Sequence, residues 1–388
     1  MTRKEFLRMC GLLGIGLPLQ ASTLSSCEKE NPTPAFEGKV LIIGAGAAGL
    51  AAGYLLQQEG IEFEILEASA NYGGRMKRTT DFADFPIPLG AEWLHVGTGV
   101  FDEIVNDESV NINVATTPYD PNVDYGLFEG QQISVADVGF TIDRKFINST
   151  WFDFFEQYIV PSVQDKISFN TVVTAIDYTS DQIAVQAASQ AFSADRVIIT
   201  APLKILQNGV ITFTPELPSD KKEVINNATV WDGCKAFIEF SEKFYPAFTA
   251  FEITPETAGQ KLYYDASYGQ NTSQNIMGLF AVGVAADPYV QRTDQELIEY
   301  MLSELDAIYD NQASANYIKH TFQNWNTEPH IQGAYLFDYE DWRRVPKLAE
   351  TVDNQLLFAG EAYAFESDWG SVHAAARAAK RAVQELVG

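Results

Sequence analysis

The chain has 388 residues, 46% hydrophobic and 20% charged, which is too much apolar mass and too little charge for a disordered chain. Fifty-two acidic against 26 basic residues leave a formal charge of -26 with no basic patch, so nucleic acid is not an expected partner. Three cysteines and four scattered histidines give neither a disulfide framework nor the ligand spacing of a metal centre. The acidic surplus reads first as a solvated surface and second as an attraction for cationic substrates.

At the N-terminus, Arg3, Lys4 and Arg8 precede an uncharged, mostly apolar run from Met9 to Ala21. That is the layout of an export signal, too short to span a bilayer comfortably. Thr2 to Arg8 resembles a twin-arginine motif with Lys4 in place of the second arginine, and Leu24-Ser25-Ser26-Cys27 resembles a bacterial lipobox. The expectation is a signal peptide over 1–26 and a polar tether over 27–35. The protein would then be exported, periplasmic or at the cell surface, and would meet the membrane only through a lipid on Cys27.

Lys39 to Ile43 is a continuous apolar run suited to a buried parallel strand. Gly44-Ala45-Gly46-Ala47-Ala48-Gly49 follows at once, and Leu50 to Gln58 carries a helical pattern. Gly44 is expected to permit the tight turn, Gly46 to let a pyrophosphate approach the backbone, and Gly49 to let the helix lie close to the strand. The helix start would present N–H groups to the phosphates. A second strand, Phe63 to Leu66, ends at Glu67, 21 residues past Gly46, where a carboxylate can accept both ribose hydroxyls. Strand, glycines, helix, strand and acid in register predict a dinucleotide site, with NAD and FAD both open at this point. Downstream, Ala236–Phe240 and Met277–Val284 read as strands and Asp294–Tyr309 as an amphipathic helix.

Further segments carry a longer pattern. Ala70-Asn71-Tyr72-Gly73-Gly74-Arg75, Leu89-Gly90-Ala91-Glu92-Trp93-Leu94-His95, Ile167 to Val173, Ala194 to Leu203, Leu357-Phe358-Ala359-Gly360-Glu361 and Gly370-Ser371-Val372-His373 occur in that order. Together, from about Val40 to Ala382, they resemble the FAD-containing amine oxidase family. The resemblance implies an α/β protein: a Rossmann-like FAD-binding domain over 36–96, 166–234 and 346–388, interleaved with a reduced α+β substrate domain over 97–165 and 235–345. FAD would be held by the glycine loop (44–49), Glu67, Gly74, Arg75, Gly90, Ala91, Glu92, Trp93, Trp325, Gly360, Glu361 and the helix start at Gly370, Ser371 and Val372. Val173 would meet the adenine through its backbone. Ala334 stands where monoamine oxidases carry the cysteine that bonds the flavin, so the FAD would be non-covalent.

The same resemblance assigns the chemistry. Lys235 would hold a water beside flavin N5, serving imine hydrolysis and stabilising charge on oxygen during reoxidation. His95 would accept a hydrogen bond or proton from the amine, since only an unprotonated amine releases hydride. Tyr335 matches one wall of an aromatic cage whose other wall is Ser371 here, as in the polyamine oxidase and histone demethylase branch. The implied reaction is hydride transfer from an amine to FAD, then reoxidation by O2 to give H2O2. Alternatives are an FAD-dependent desaturase or oxidase of a non-amine substrate, a non-catalytic FAD-binding lipoprotein, and an NAD-dependent dehydrogenase, which the GGR and FAGE elements disfavour. Only 71 residues separate His95 from Ile167, where the family usually carries a longer helical region, so a pruned substrate lobe is expected. No sequence feature specifies an oligomeric state.

Overall fold

A computed structural model describes residues 36–130, 132–188, 190–252, 259–337, 344–365 and 370–388; the expected leader, tether and Cys27 lie outside them. Five parallel strands form the first sheet, in the order Leu356–Phe358, Arg196–Ile199, Lys39–Ile43, Glu62–Leu66, Ile167–Ser168. The unbroken apolar run Lys39–Ile43 is central because both its faces are covered. Val40 and Ile42 pack against the helices Ala47–Gln58 and Val372–Val387, while Leu41 and Ile43 face a second core that includes Val185, Ile199 and Phe358. Small residues on the last helix (Ala375, Ala378, Ala379, Ala382) let it lie close to the first.

The run from Ile167 to Val173, expected as one strand, is split between two sheets. Ile167–Ser168 closes the parallel sheet, Asn170 turns the chain in the left-handed region at φ 53°, and Val173–Asp177 enters a four-stranded sheet. The turn is fixed from outside the segment: Asn170 N donates to Ser69 O at 3.0 Å and Thr171 N to Glu67 O at 2.8 Å. Asparagine tolerates this conformation better than most residues.

The third sheet has seven strands in the order Tyr317–Asn324, Gly233–Phe240, Asn275–Gly283, Gly259–Asp265, Phe248–Phe251, Asp124–Glu129, Gln132–Asp137. It is mixed: Phe248–Phe251 and Asp124–Glu129 run parallel and the other neighbours antiparallel. The expected boundary at 234/235 falls inside a strand, because the ladder to Asn275–Gly283 already runs at Gly233. One face of this sheet is covered by the helix Asp294–Ile308, which starts on a Thr293/Glu296 capping box and buries Leu297, Met301 and Leu305. The strands alternate, so Ala236 and Ile238 meet that helix while Lys235 and Phe237 point to the opposite face. No helix among the described residues is long and apolar enough to cross a membrane.

Candidate active site

A cavity of about 930 Å³ runs from the glycine loop to the free face of the seven-stranded sheet. At its nucleotide end Gly44 has φ +108°, and a Cβ on Gly49 would lie 1.8 Å from Gly44 O, so helix and strand approach this closely only with glycine there. A Cβ on Gly46 would meet nothing within 4 Å. That is room for a phosphate, beside a helix that begins without a side-chain cap. Glu67 is fixed at the rim, its Oε2 accepting from Ala45 N at 2.6 Å and its Oε1 from Ser69 N at 2.8 Å. Gly44, Gly46, Ala47, Ala48, Glu67 and Val173 line the cavity. Ala45 and Gly49 were expected among the cofactor ligands but sit behind the loop: the Ala45 amide is committed to Glu67, and Gly49 packs on Gly44.

The central section is built by mutual support. A Cβ on Gly90 would lie 1.8 Å from Arg75 O, so the 89–93 loop rests directly on the Gly74–Met76 turn, and Ala91 N donates to Arg75 O at 2.9 Å. The Arg75 guanidinium pairs with Glu361 Oε1 at 2.9 Å and also donates to Ala334 O. Glu361, expected among the residues that hold FAD, lines the cavity with Arg75 as its partner, and its Oε2 accepts from Leu336 N at 3.3 Å. Trp325 is buried, its indole donating to Leu89 O at 3.2 Å. Gly360, Gly370, Ser371 and Val372 complete this wall, and Ser371 Oγ caps the last helix by accepting from Ala374 N at 3.2 Å. On that helix Arg377 makes two 2.9 Å bonds to Glu103, and Arg381 binds the carbonyls of Phe358 and Tyr363, so neither reaches the cavity's chemistry.

Lys235 is 3% exposed, with its Nζ 2.5 Å from Glu92 Oε2, 3.3 Å from Pro88 O and 4.9 Å from the centre of the Trp93 ring. Glu92, expected to touch the cofactor, lines the cavity and also anchors a buried charge cluster. Its Oε2 also accepts from Tyr264 Oη at 2.5 Å, and its Oε1 lies 3.5 Å from Nζ of a second buried lysine, Lys145. Lys145 further donates to Ala266 O at 2.6 Å and Asp265 O at 3.3 Å. Burial pushes both lysines below the ordinary ammonium range, with Glu92 pulling each back up. Burial would raise Glu92, but Lys235 and Lys145 together outweigh it and hold the carboxyl ionised. Tyr264 is driven well upward by burial and then by Glu92, so it remains a donor.

His95 stands at the cavity's open rim, 48% exposed, with Nδ1 2.9 Å from Asp143 Oδ1. Tyr335 lines the cavity beside Gly370, where a Cβ would lie 3.0 Å from its ring, so Tyr335 and Ser371 do come together. A second aromatic wall was not anticipated: Trp231 faces Tyr335 at 6.1 Å between ring centres and 59° between planes, and it stacks on Phe337. Trp231 lies four residues before Lys235, the one sequence signal that could have marked it. Lys145 had none, since its place depends on the bridge between Leu94 and Arg144. Cys234 alternates with Lys235, and burial pushes its thiol up, out of nucleophilic use. Among the described residues no His, Cys, Asp and Glu cluster could hold a metal ion.

These features suit a flavin dinucleotide: phosphate room at an uncapped helix, a carboxylate at ribose distance along the chain, and a long cavity ending at a buried lysine. Comparison with known proteins agrees. The profile described as flavin containing amine oxidoreductase matches residues 152–387, and that of an NAD(P)-binding Rossmann-like domain matches 42–106. A probable polyamine oxidase of Arabidopsis thaliana is 25% identical over 431 residues, 87% of this chain and 84% of that protein. A lysine-specific histone demethylase of Mus musculus is 28% identical over 203 residues, half of this chain and only 25% of the demethylase. Among solved structures, putrescine oxidase bound to putrescine superposes with a TM-score of 0.73 at 14% identity, covering 91% of this chain and 99% of that one. Cyclohexylamine oxidase from Brevibacterium oxydans gives 0.73 at 15% identity, with the same coverage. At such identities these two likenesses show the fold.

Proposed function

Because the chain belongs to the flavin containing amine oxidoreductase family and carries FAD as its cofactor, we propose that it oxidises an amine bearing one cationic nitrogen and a hydrocarbon arm. FAD, held along the glycine loop, Glu67 and the Gly74–Arg75 turn, would supply the hydride acceptor, with O2 as the final oxidant and H2O2 as the product. Beside it, Lys235 holds a water for hydrolysis of the imine and offers positive charge to oxygen as that is reduced. His95, oriented by Asp143 at the rim, takes the proton from the incoming ammonium, so that the nitrogen lone pair can assist hydride loss. Trp231 and Tyr335 flank the amine and orient it through their ring faces. With alanine at 334, no thiol stands at that position to bond the flavin.

The observation that carries the substrate class is the cavity floor. Lys235, Phe280, Leu262 and Ala250 are register partners across four strands and share one sheet face, with Val282 and Phe248 beside them. An arm leading away from Lys235 therefore lies on apolar side chains. Among the described residues the acids lining the cavity are otherwise engaged: Glu92 by two lysines, Glu361 by Arg75, Glu67 by backbone amides, and Asp143 by His95. A second ammonium on that floor would be desolvated without a counterion. The names of the relatives favour a polyamine as the second reading.

The test is anaerobic flavin bleaching with hexylamine, cyclohexylamine, putrescine, spermidine and spermine. Bleaching by the first two at lower concentration than by the others supports the proposal. Bleaching by polyamines alone installs the second reading, and no bleaching by any amine removes amine oxidation. Export and lipid anchoring at Cys27 belong to the same proposal: Cys27→Ala should move the protein from the membrane to the soluble fraction.

A further inference from the structure

Two lysines and one glutamate share a single buried cluster at the end of the cavity, and the reaction above uses only one of those lysines. Lys145 arrives there on the strand Arg144–Phe146, held beside the Glu92 loop by reciprocal backbone bonds between Leu94 and Arg144 of 2.9 and 3.0 Å. It is 2% exposed and does not line the cavity, so it touches neither flavin nor substrate. Two backbone carbonyls accept hydrogen bonds from its ammonium, and Glu92 Oε1 pairs with it at 3.5 Å.

We infer that Lys145 is a positioning residue for Lys235: it engages the other oxygen of Glu92 and adds a second positive charge to the cluster, so that the Lys235 ammonium can pass a proton to the oxygen being reduced and regain one from solvent. The inference rests on the reading of Lys235 as the group beside the flavin. A buried lysine paired with an undivided carboxylate keeps its proton to high pH. Here Lys145 draws on the other carboxylate oxygen and adds a like charge to the cluster. The groups facing the pair are few: Glu92 and the Trp93 ring from the 89–93 loop, Tyr264 and Asp265 from the strand Gly259–Asp265, and Tyr119, whose hydroxyl accepts from Trp93 Nε1 at 3.0 Å. Asp265 is itself engaged by Lys243 at 2.6 Å. Glu92 is therefore the shared counterion through which Lys145 acts on Lys235.

The test is the pH dependence of the oxidised flavin's visible spectrum in the loaded enzyme without amine, alongside the rate of reoxidation by O2. A transition abolished by Lys235→Met reports the lysine. Lys145→Gln keeps donors for the carbonyls but removes the charge, and should raise that midpoint by about one pH unit, tenfold in proton affinity, in both readouts. Lys145→Arg should leave it in place. Lys145→Met carries the same expectation as the glutamine variant should that one fail to accumulate. An unmoved midpoint in the uncharged variants, or an equal shift in Lys145→Arg, overturns the inference, as does a wild-type spectrum without a Lys235-dependent transition. Because no amine is added, this outcome is independent of whether the substrate reading stands.

Discussion

Lys221 and Lys235 are both buried, yet their surroundings give them different work. Lys221 donates to the carbonyls of Lys347, Leu348 and Glu350 at 3.3, 2.8 and 2.7 Å and sits 3.7 Å from the centre of the Phe358 ring, away from the cavity. It ties the end of the helix Arg344–Ala349 to the parallel sheet. Lys221→Met should cost about 1–3 kcal/mol, by leaving carbonyls unpaired, with flavin chemistry unaltered. Burial lowers Lys221 to about 7, so between there and its ordinary 10.5 the unfolded chain binds more protons than the folded one. The stability contributed at this position therefore rises with pH across that window. Denaturant melts of both proteins from neutral to alkaline pH check it, the variant's curve being the flatter. Lys235→Met, by contrast, should retain flavin and slow turnover by about 100-fold, as loss of an electrostatic donor does; unchanged turnover would take Lys235 out of the mechanism. Glu67→Ala should weaken FAD retention about 10- to 100-fold, since both a ribose contact and the loop's amide partner go, and dialysis followed by flavin absorbance measures it.

At the scale of elements, the strand Lys39–Ile43, the glycine loop and the following helix were legible because their signals are local: an apolar run, a glycine spacing and a helical period. The same holds for the helix Asp294–Ile308, whose stripe and cap lie within one segment. What could not be read depends on distant partners. Nothing within 167–173 announces that Asn170 turns the chain, because its amide is held by Ser69, a hundred residues upstream. Lys145 looks like any strand lysine until the Leu94–Arg144 bridge sets it beside Glu92. The motif places Glu92 on the cavity wall with its neighbours, but nothing in it shows that the carboxylate pairs with two lysines from distant strands. Since the glycine loop works through backbone proximity, Gly49→Ala is a sharper test of the element than any side-chain change. Its methyl group would meet Gly44 O far inside contact distance, so the helix must move off the strand. Folded protein without flavin absorbance is expected, judged by circular dichroism beside the visible spectrum; full flavin content would mean that the loop yields.

For the molecule as a whole, the net charge of -26 and the engaged acids of the cavity pose one question: where a cationic substrate feels the protein. Glu67, Glu92, Glu361 and Asp143 all have partners, so the described acids of the cavity offer an ammonium little Coulombic attraction of their own. The long-range field of the acidic surface nevertheless raises the local concentration of cations around the protein. These two facts separate the steady-state constants. Attraction at the surface acts on encounter and should appear in KM, whereas the chemical step takes place among paired groups and should show little salt dependence. Raising ionic strength from about 10 mM to about 300 mM shrinks the screening length from roughly 30 Å to below 8 Å. Over that range KM for an amine cationic at the assay pH should rise several-fold while kcat stays constant. An uncharged amine analogue used as a competitive inhibitor should keep its affinity. A kcat that falls as KM rises would place the salt-sensitive charge within the site, and an unmoved KM would leave the acidic surplus as a solubility feature alone.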